Sequence, residues 1–71
     1  MMSQNLMVLH HMETEGSITP KEAMDEYGIM RLGARIYDLK QAGYKVNRIM
    51  VTEENRFGHE VRFARYYLGR P

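Results

Sequence analysis

Apolar residues recur at helical spacing in the first part of the chain, and the first such segment predicts a helix that extends to about residue 14. Ser3 can cap its start, and Gly16 follows its end, where a residue that tolerates positive φ is common. The inner face carries Val8, Leu9 and Met12, with Leu6 at its edge. Met7 and His11 are predicted to lie on the opposite side of this helix.

A second helix is predicted over residues 20–27, after a short extended link at residues 17–19. Thr19 and Glu22 form the pattern of a capping box, in which each side chain accepts a hydrogen bond from the other residue's backbone N–H. Pro20 occupies the first helical position, where its missing N–H costs nothing. Ile18 and Ala23 have the spacing of a hydrophobic staple. The predicted inner face consists of Ala23, Met24 and Tyr27.

Gly28 interrupts the pattern, and a third helix is predicted over residues 29–42, with Gly43 at its end. Leu32, Ile36 and Leu39 form its inward stripe. Gly33 within this segment costs about 1 kcal/mol relative to alanine in an exposed helix interior. Two helices joined by so short a glycine-containing turn are typical of a helix-turn-helix.

After Gly43 the period changes to rough alternation, which predicts strands over residues 44–52 and 60–68. Asn55 and Gly58 are turn formers in the intervening segment, so the two strands form a hairpin. The element order predicts an α+β fold of the winged helix-turn-helix type, in which the hairpin is the wing. We expect one domain over residues 1–71, with an ordered core over about 3–68.

The net charge is only +1, so the total charge alone does not indicate a nucleic-acid binder. The distribution of charge along the chain is more informative. Residues 12–26 contain five acids and one base, whereas residues 30–48 contain five bases and one acid. Such polarity is either an ordinary pair of solvated faces or the footprint of a nucleic-acid binder, depending on whether the fold presents it.

The chain contains no cysteine, which excludes disulfides and thiolate metal sites and fits a reducing cytoplasm. It has no apolar run long enough for a membrane span, so we expect a cytoplasmic protein. A domain of 71 residues is marginally stable alone, which makes a homodimer possible. Met7, Met50 and Tyr67 are candidate interface residues, or else scattered apolar residues of an ordinary surface.

Several segments resemble a family of small helix-turn-helix domains that occur largely in phage and prophage genomes. They are residues 16–20, 27–32, 34–39, 51–52, 55–58 and 61–66. The resemblance covers about residues 9–68, and Gly33 stands where the family usually has a small residue such as alanine. It implies DNA binding, without defining an operator or a regulatory role.

The candidate DNA contacts on the third helix are Met30, Arg31, Ala34, Arg35 and Tyr37. A helix fits the major groove, and arginine can donate two hydrogen bonds to guanine. The alternative is that the arginines are merely solvated, or that Arg35 pairs with Asp38 three residues later.

Further candidate contacts to DNA lie outside this helix: Lys21, Arg48, Asn55 and Arg56. Lys21 is near a helix N-terminus, where phosphates bind well, and Asn55 and Arg56 are at the wing tip. Glu53 and Glu54 beside the tip oppose phosphate binding, so Arg56 is equally well explained as an exposed charge.

Two functions from different classes fit the sequence. The first is a double-stranded DNA-binding protein, either a transcriptional regulator or an accessory factor of recombination or replication. The alternative is a winged-helix module that binds and modulates a host protein, which the near-neutral charge and the acidic second helix favour. An enzyme is not expected because no catalytic constellation is visible, and the sequence predicts neither a metal site nor a cofactor.

Overall fold

A computed structural model describes residues 2–69 and contains three helices followed by a two-stranded antiparallel hairpin. The elements are α1 (Gln4–Glu15), α2 (Pro20–Tyr27), α3 (Leu32–Gln41), β1 (Val46–Glu54) and β2 (Glu60–Leu68). The predicted winged helix-turn-helix architecture is therefore confirmed. Met1, Arg70 and Pro71 of the predicted domain lie outside the described residues.

The predicted caps of the first two helices are present. The Ser3 hydroxyl accepts a hydrogen bond from the backbone N–H of Leu6, and Gly16 closes α1 in the left-handed conformation. The Thr19 hydroxyl accepts from the N–H of Glu22 at 3.2 Å, and the Glu22 carboxylate accepts from the N–H of Thr19 at 2.9 Å. These reciprocal bonds satisfy two backbone donors that have no partner inside a helix, so the start of α2 is fixed locally.

The predicted faces of α1 and α2 were partly wrong. His11 is only 4% exposed and Met7 packs against the core, whereas Leu6 and Met24 are exposed. The reason is that α2 crosses the side of α1 that carries His11, where the Tyr27 hydroxyl lies 2.6 Å from His11 Nδ1. A helix covered on two sides buries a wider arc than a single apolar stripe indicates.

The predicted start of the third helix was also wrong, since α3 begins at Leu32 and not at Ile29. Ile29 is buried in the turn, and its N–H donates to the carbonyl of Ala23 at 3.1 Å. This bond extends the end of α2 and keeps residues 29–31 out of the next helix. Arg31 becomes the N-cap residue of α3, with a φ of −120° and a ψ of 67°.

The first strand lies two residues later than predicted, at Val46–Glu54 instead of residues 44–52. Tyr44 donates its N–H to the carbonyl of Leu39, so it belongs to the end of α3. Gly43 permits this reversal with a φ of 101°. The strand consequently includes Glu53 and Glu54, which the sequence pattern had assigned to the turn.

The wing is joined to the helices along one edge and at its base. Ile18 exchanges two backbone hydrogen bonds with Tyr66, so the link between α1 and α2 forms a single β-bridge to β2. The core lies between the three helices and the base of the hairpin. Its buried apolar residues are Val8, Leu9, Met12, Ile18, Ala23, Ile29, Leu32, Ile36, Leu39 and Val46.

The two faces of the wing look toward different helices. Residues directly opposite each other in an antiparallel pair share a face, and successive residues alternate. The register therefore places Arg48, Met50, Thr52, Arg62 and Tyr66 on one side, which we call the α3 face. The other side, the α2 face, carries Ile49, Val51, Val61, Phe63 and Arg65.

Candidate nucleic-acid interface

A groove of about 550 Å³ separates α3 from the base of the wing, and we call it the α3–wing groove. Its described lining consists of Gly33, Ile36, Tyr37, Lys40, Val46, Asn47, Arg48 and Tyr66. Two of these residues are basic and none is acidic. The groove therefore presents positive charge to any ligand that contacts α3 and the wing at once.

The N-terminal end of α3 leaves several predicted contact residues open to solvent. Met30 is 81% exposed in the turn, Arg31 is exposed at the N-cap position, and Tyr37 is 62% exposed on the helix. Ala34 is partly exposed between them. Arg31 makes no side-chain capping bond. The first-turn amides of α3 thus lack the side-chain acceptor that Thr19 supplies to α2.

Arg35 lies on a different side of α3, next to the start of α1. Its guanidinium is 3.2 Å from the Asp38 carboxylate and donates to the Gln4 side-chain oxygen at 3.4 Å. The side chain is only 32% exposed, and its buried Nε has no hydrogen-bond partner among the described residues. Arg35 is therefore engaged within the protein, in the Asp38 pairing that the sequence left open as an alternative.

Two arginines lie on the α3 face of the wing. Arg48 is opposite Tyr66, and Arg62 is opposite Thr52, four residues further along β1. At about 3.4 Å per residue they are roughly 14 Å apart along the strand. Sequence reasoning missed Arg62, although pairing the ends of the predicted strands, residue 52 with residue 60, already puts residue 62 opposite residue 50 and therefore on the side of residue 48.

The wing tip uses Asn55 for its own structure. The Asn55 side-chain oxygen accepts hydrogen bonds from the N–H groups of Phe57 and His59, at 2.9 and 3.0 Å. Asn55 is thus the residue that shapes the turn, in the manner of an Asx turn. Arg56 is exposed beside it.

Lys21 lies on the other side of the wing from Arg48. It lines an apolar groove of about 510 Å³ between the start of α2 and the α2 face, together with Glu53, Val61 and Phe63. Its ammonium group is 2.6 Å from the Asp25 carboxylate. That hydrogen bond and the carboxylate's charge raise the pKa of Lys21 above its ordinary value. The structure therefore does not bring Lys21 together with the basic residues of the α3–wing groove.

Acidic residues gather in a third cavity, of about 330 Å³, between α1, α2 and the base of the wing. Its lining is His11, Glu15, Ser17, Glu22, Asp25, Glu26 and Arg65. Burial, followed by the charges of Glu26, Glu15 and Glu22, raises the pKa of the adjacent Tyr27. Within residues 2–69, no three histidine, aspartate or glutamate side chains converge as a metal site.

Glu22 connects this cavity to the capping box. The oxygen that accepts from the Thr19 N–H also lies 3.9 Å from His11 Nε2 and 4.0 Å from an Arg65 guanidinium nitrogen. Arg65 donates in turn to the Ser17 hydroxyl at 2.8 Å. One carboxylate oxygen therefore lies where α1, the start of α2 and the wing meet.

A family model for the winged helix-turn-helix domain matches residues 3–71, nearly the whole chain. The chain belongs to this family. Domains of this kind typically bind DNA, so membership indicates a DNA-binding domain. No curated protein and no solved structure matches the chain. None of the described helices is both long enough and apolar enough to cross a bilayer.

Proposed function

We propose that this protein is a regulator that binds double-stranded DNA, of the small phage and prophage type, and acts on transcription. The exposed face of α3 enters the major groove, and the α3 face of the wing contacts the flanking backbone. Family membership supports the DNA-binding part of this proposal.

The single observation that carries the proposal is the separation of charge between two sides of a nearly neutral domain. The α3–wing groove is lined by Lys40 and Arg48 without any acid, whereas the cavity between α1 and α2 is lined by four acids. A duplex that contacts α3 and the base of the wing meets the basic groove, whereas the acidic cavity lies between α1, α2 and the wing. Local charge near the phosphates matters more for binding than the net charge of +1.

The proposed roles follow from exposure and position. Arg31 and Tyr37 reach base edges, since Arg31 is exposed at the N-cap of α3 and Tyr37 is exposed in the middle of the helix. Lys40, Arg48 and Arg62 contact phosphates. These three phosphate contacts predict a slope of about −2.7 for log K against log salt, since each neutralised phosphate contributes roughly −0.9.

The test is selection from a random duplex library at two salt concentrations, followed by fluorescence anisotropy on the enriched site. We expect Arg31→Ala to weaken binding to the enriched site more than to random duplex, because a good arginine–guanine pair discriminates by about 1–3 kcal/mol. Arg48→Ala should weaken binding to both duplexes and make the salt slope shallower by about 1.

Lys45→Ala is the matched control, because Lys45 is an exposed base on the loop between α3 and β1. It should change binding less than either arginine substitution. If the folded protein binds no duplex at low salt, or if Lys45→Ala is as harmful as Arg31→Ala, the proposed interface is wrong.

A second candidate function is a winged-helix module that binds a host protein, and the acidic cavity favours it. Its four acids face a space of about 330 Å³ that a basic side chain of a partner would fill. Capture of a stoichiometric host protein that survives nuclease treatment and is lost in Glu26→Lys would support this function over DNA binding.

A further inference from the structure

The outer edge of β1 carries a row of backbone groups that no described residue pairs with. The carbonyl of Lys45 accepts from Gly69, and the N–H of Asn55 donates to His59, so the odd-numbered residues between them bond to β2. The backbone groups of Val46, Arg48, Met50, Thr52 and Glu54 therefore point away from β2. By the same alternation, the backbone groups of Tyr66 in β2 point away from β1, and there they form hydrogen bonds with Ile18.

This edge lacks several features that usually protect an edge strand, although Arg48, Glu53 and Glu54 give it charged side chains. The register is continuous over nine residue pairs without a bulge, and the strand contains neither proline nor lysine. Ile49 and Met50 are 47% and 49% exposed. The edge of β2 is occupied at one point, where Ile18 pairs with Tyr66. The longer uninterrupted free edge of the sheet is thus the β1 edge.

We propose that β1 pairs antiparallel with β1 of a second copy of this chain, centred on Val51, to form a four-stranded sheet across a two-fold axis. Outward-pointing residues must bond to outward-pointing residues, so only registers that pair even-numbered positions with each other are allowed. Centring on Val51 places Arg48 of each copy opposite Glu54 of the other.

Charge favours this register over its neighbour centred on Met50. The alternative places Arg48 opposite Thr52 and puts Glu54 opposite Val46, which is buried at the base of the wing. Within one copy, Glu54 is directly opposite Glu60, a like-charge pair that destabilises the hairpin end. The second copy's Arg48 would flank Glu54 on its other side and offset that repulsion.

The two-fold axis of an antiparallel pair is perpendicular to the sheet, so both α3 faces remain on the same side. The two α3–wing grooves would then face one ligand together. If that ligand is DNA, its site is two-fold symmetric. This consequence rests on the proposed function, whereas the dimer itself does not.

Sedimentation velocity without DNA, from micromolar to submillimolar protein, tests the pairing separately from DNA binding. We expect a reversible shift from monomer to dimer for the wild type. Glu54→Arg and Arg48→Glu should each remain monomeric, and the double variant R48E/E54R should dimerise again. Because Glu54→Arg also places an arginine opposite Glu60, its melting temperature at low concentration should be no lower than that of the wild type.

The register is tested by single cysteines, since the chain has none of its own. Val51→Cys places the two sulfurs in a directly opposite, non-hydrogen-bonded pair about 4.5 Å apart at Cα, within the range of a disulfide. Ile49→Cys is the matched control, because its symmetry mate is four residues further along the strand. Oxidised Val51→Cys should form a covalent dimer, and Ile49→Cys and Met50→Cys should not.

A wild type that stays monomeric at the highest concentration overturns the proposal. Dimerisation of Glu54→Arg as strong as that of the wild type, or cross-linking of Met50→Cys in preference to Val51→Cys, overturns the proposed register.

Discussion

Replacing Glu22 separates two tasks of one side chain, the capping of α2 and the charge contacts to α1 and the wing. Glu22→Gln keeps an oxygen that can accept from the Thr19 N–H but removes the charge. Glu22→Ala removes both. The comparison therefore measures which task stabilises the junction of the three elements.

The contacts of Glu22 in the structure give the expected loss of stability for each variant. The hydrogen bond from Thr19 is 2.9 Å long and satisfies the N–H of a residue that is 4% exposed, so its loss costs about 1 kcal/mol. The contacts with His11 and Arg65, at 3.9 and 4.0 Å, involve a side chain that is 40% exposed, so solvent screening leaves each with a few tenths of a kcal/mol at most. We expect losses of about 1.5 kcal/mol for Glu22→Ala and about 0.5 kcal/mol for Glu22→Gln.

Urea denaturation followed by circular dichroism measures both variants, with thermal melts as a second readout. In a domain of this size, 1 kcal/mol corresponds to roughly 4–8 °C in melting temperature. Glu13→Gln is the matched control, since Glu13 is an exposed glutamate on α1 and should change stability little. If Glu22→Gln loses as much stability as Glu22→Ala, charge and not capping dominates at this position, and the reasoning is refuted.

Three further predictions concern other contacts. Tyr27→Phe should lower the free energy of unfolding by about 1–2 kcal/mol in urea denaturation, because the buried His11 Nδ1 loses its hydrogen-bond partner. Burial raises the pKa of Tyr27 above its unfolded value, so deprotonation at alkaline pH favours unfolding of the wild type. The variant should therefore lose less stability at alkaline pH, and an alkaline stability profile equal to that of the wild type would contradict this reasoning. Gly33→Ala should stabilise the protein by about 0.5 kcal/mol, since a Cβ there meets nothing within 4 Å, and a loss of stability would show a hidden clash. Asp38→Ala should tighten binding to random duplex, measured by anisotropy, by releasing Arg35 and removing an acid from α3; weaker binding would mean that the pair positions Arg35 for DNA.

The elements with local signals could be predicted from the sequence. Thr19 and Glu22 define the start of α2 within four residues, and the change of period after Gly43 defines the wing. The start of α3 could not be predicted, because Ile29 continues the apolar spacing of Leu32 and Ile36 whether it is helical or not. Its hydrogen bond to Ala23, which belongs to the preceding helix, places Ile29 in the turn before α3.

The candidate DNA-contact residues and their neighbours also include some positions that the sequence predicts and others that it does not. Arg31, Arg48 and Arg56 could be predicted as exposed bases, since each follows from its place in the fold. The buried position of His11 could not, because its partner Tyr27 is 16 residues away and on another helix. The spacing of Arg35 from Asp38 indicated an ion pair. The sequence could not predict that the start of α1 also covers much of the Arg35 guanidinium, because that contact joins residues 31 positions apart.

The arrangement of charge explains how a domain with a net charge of +1 can present a basic surface. Its acids stabilise the protein where the helices meet, as Glu22 does at the start of α2 and Asp38 does beside Arg35. The bases of the α3–wing groove have no acid among the residues that line it with them. Acids that serve folding are thus kept apart from bases that remain available, and Glu54 opposite Glu60 is the exception on the α3 face. That exception lies at the free edge of β1, where a second copy would supply the missing positive charge.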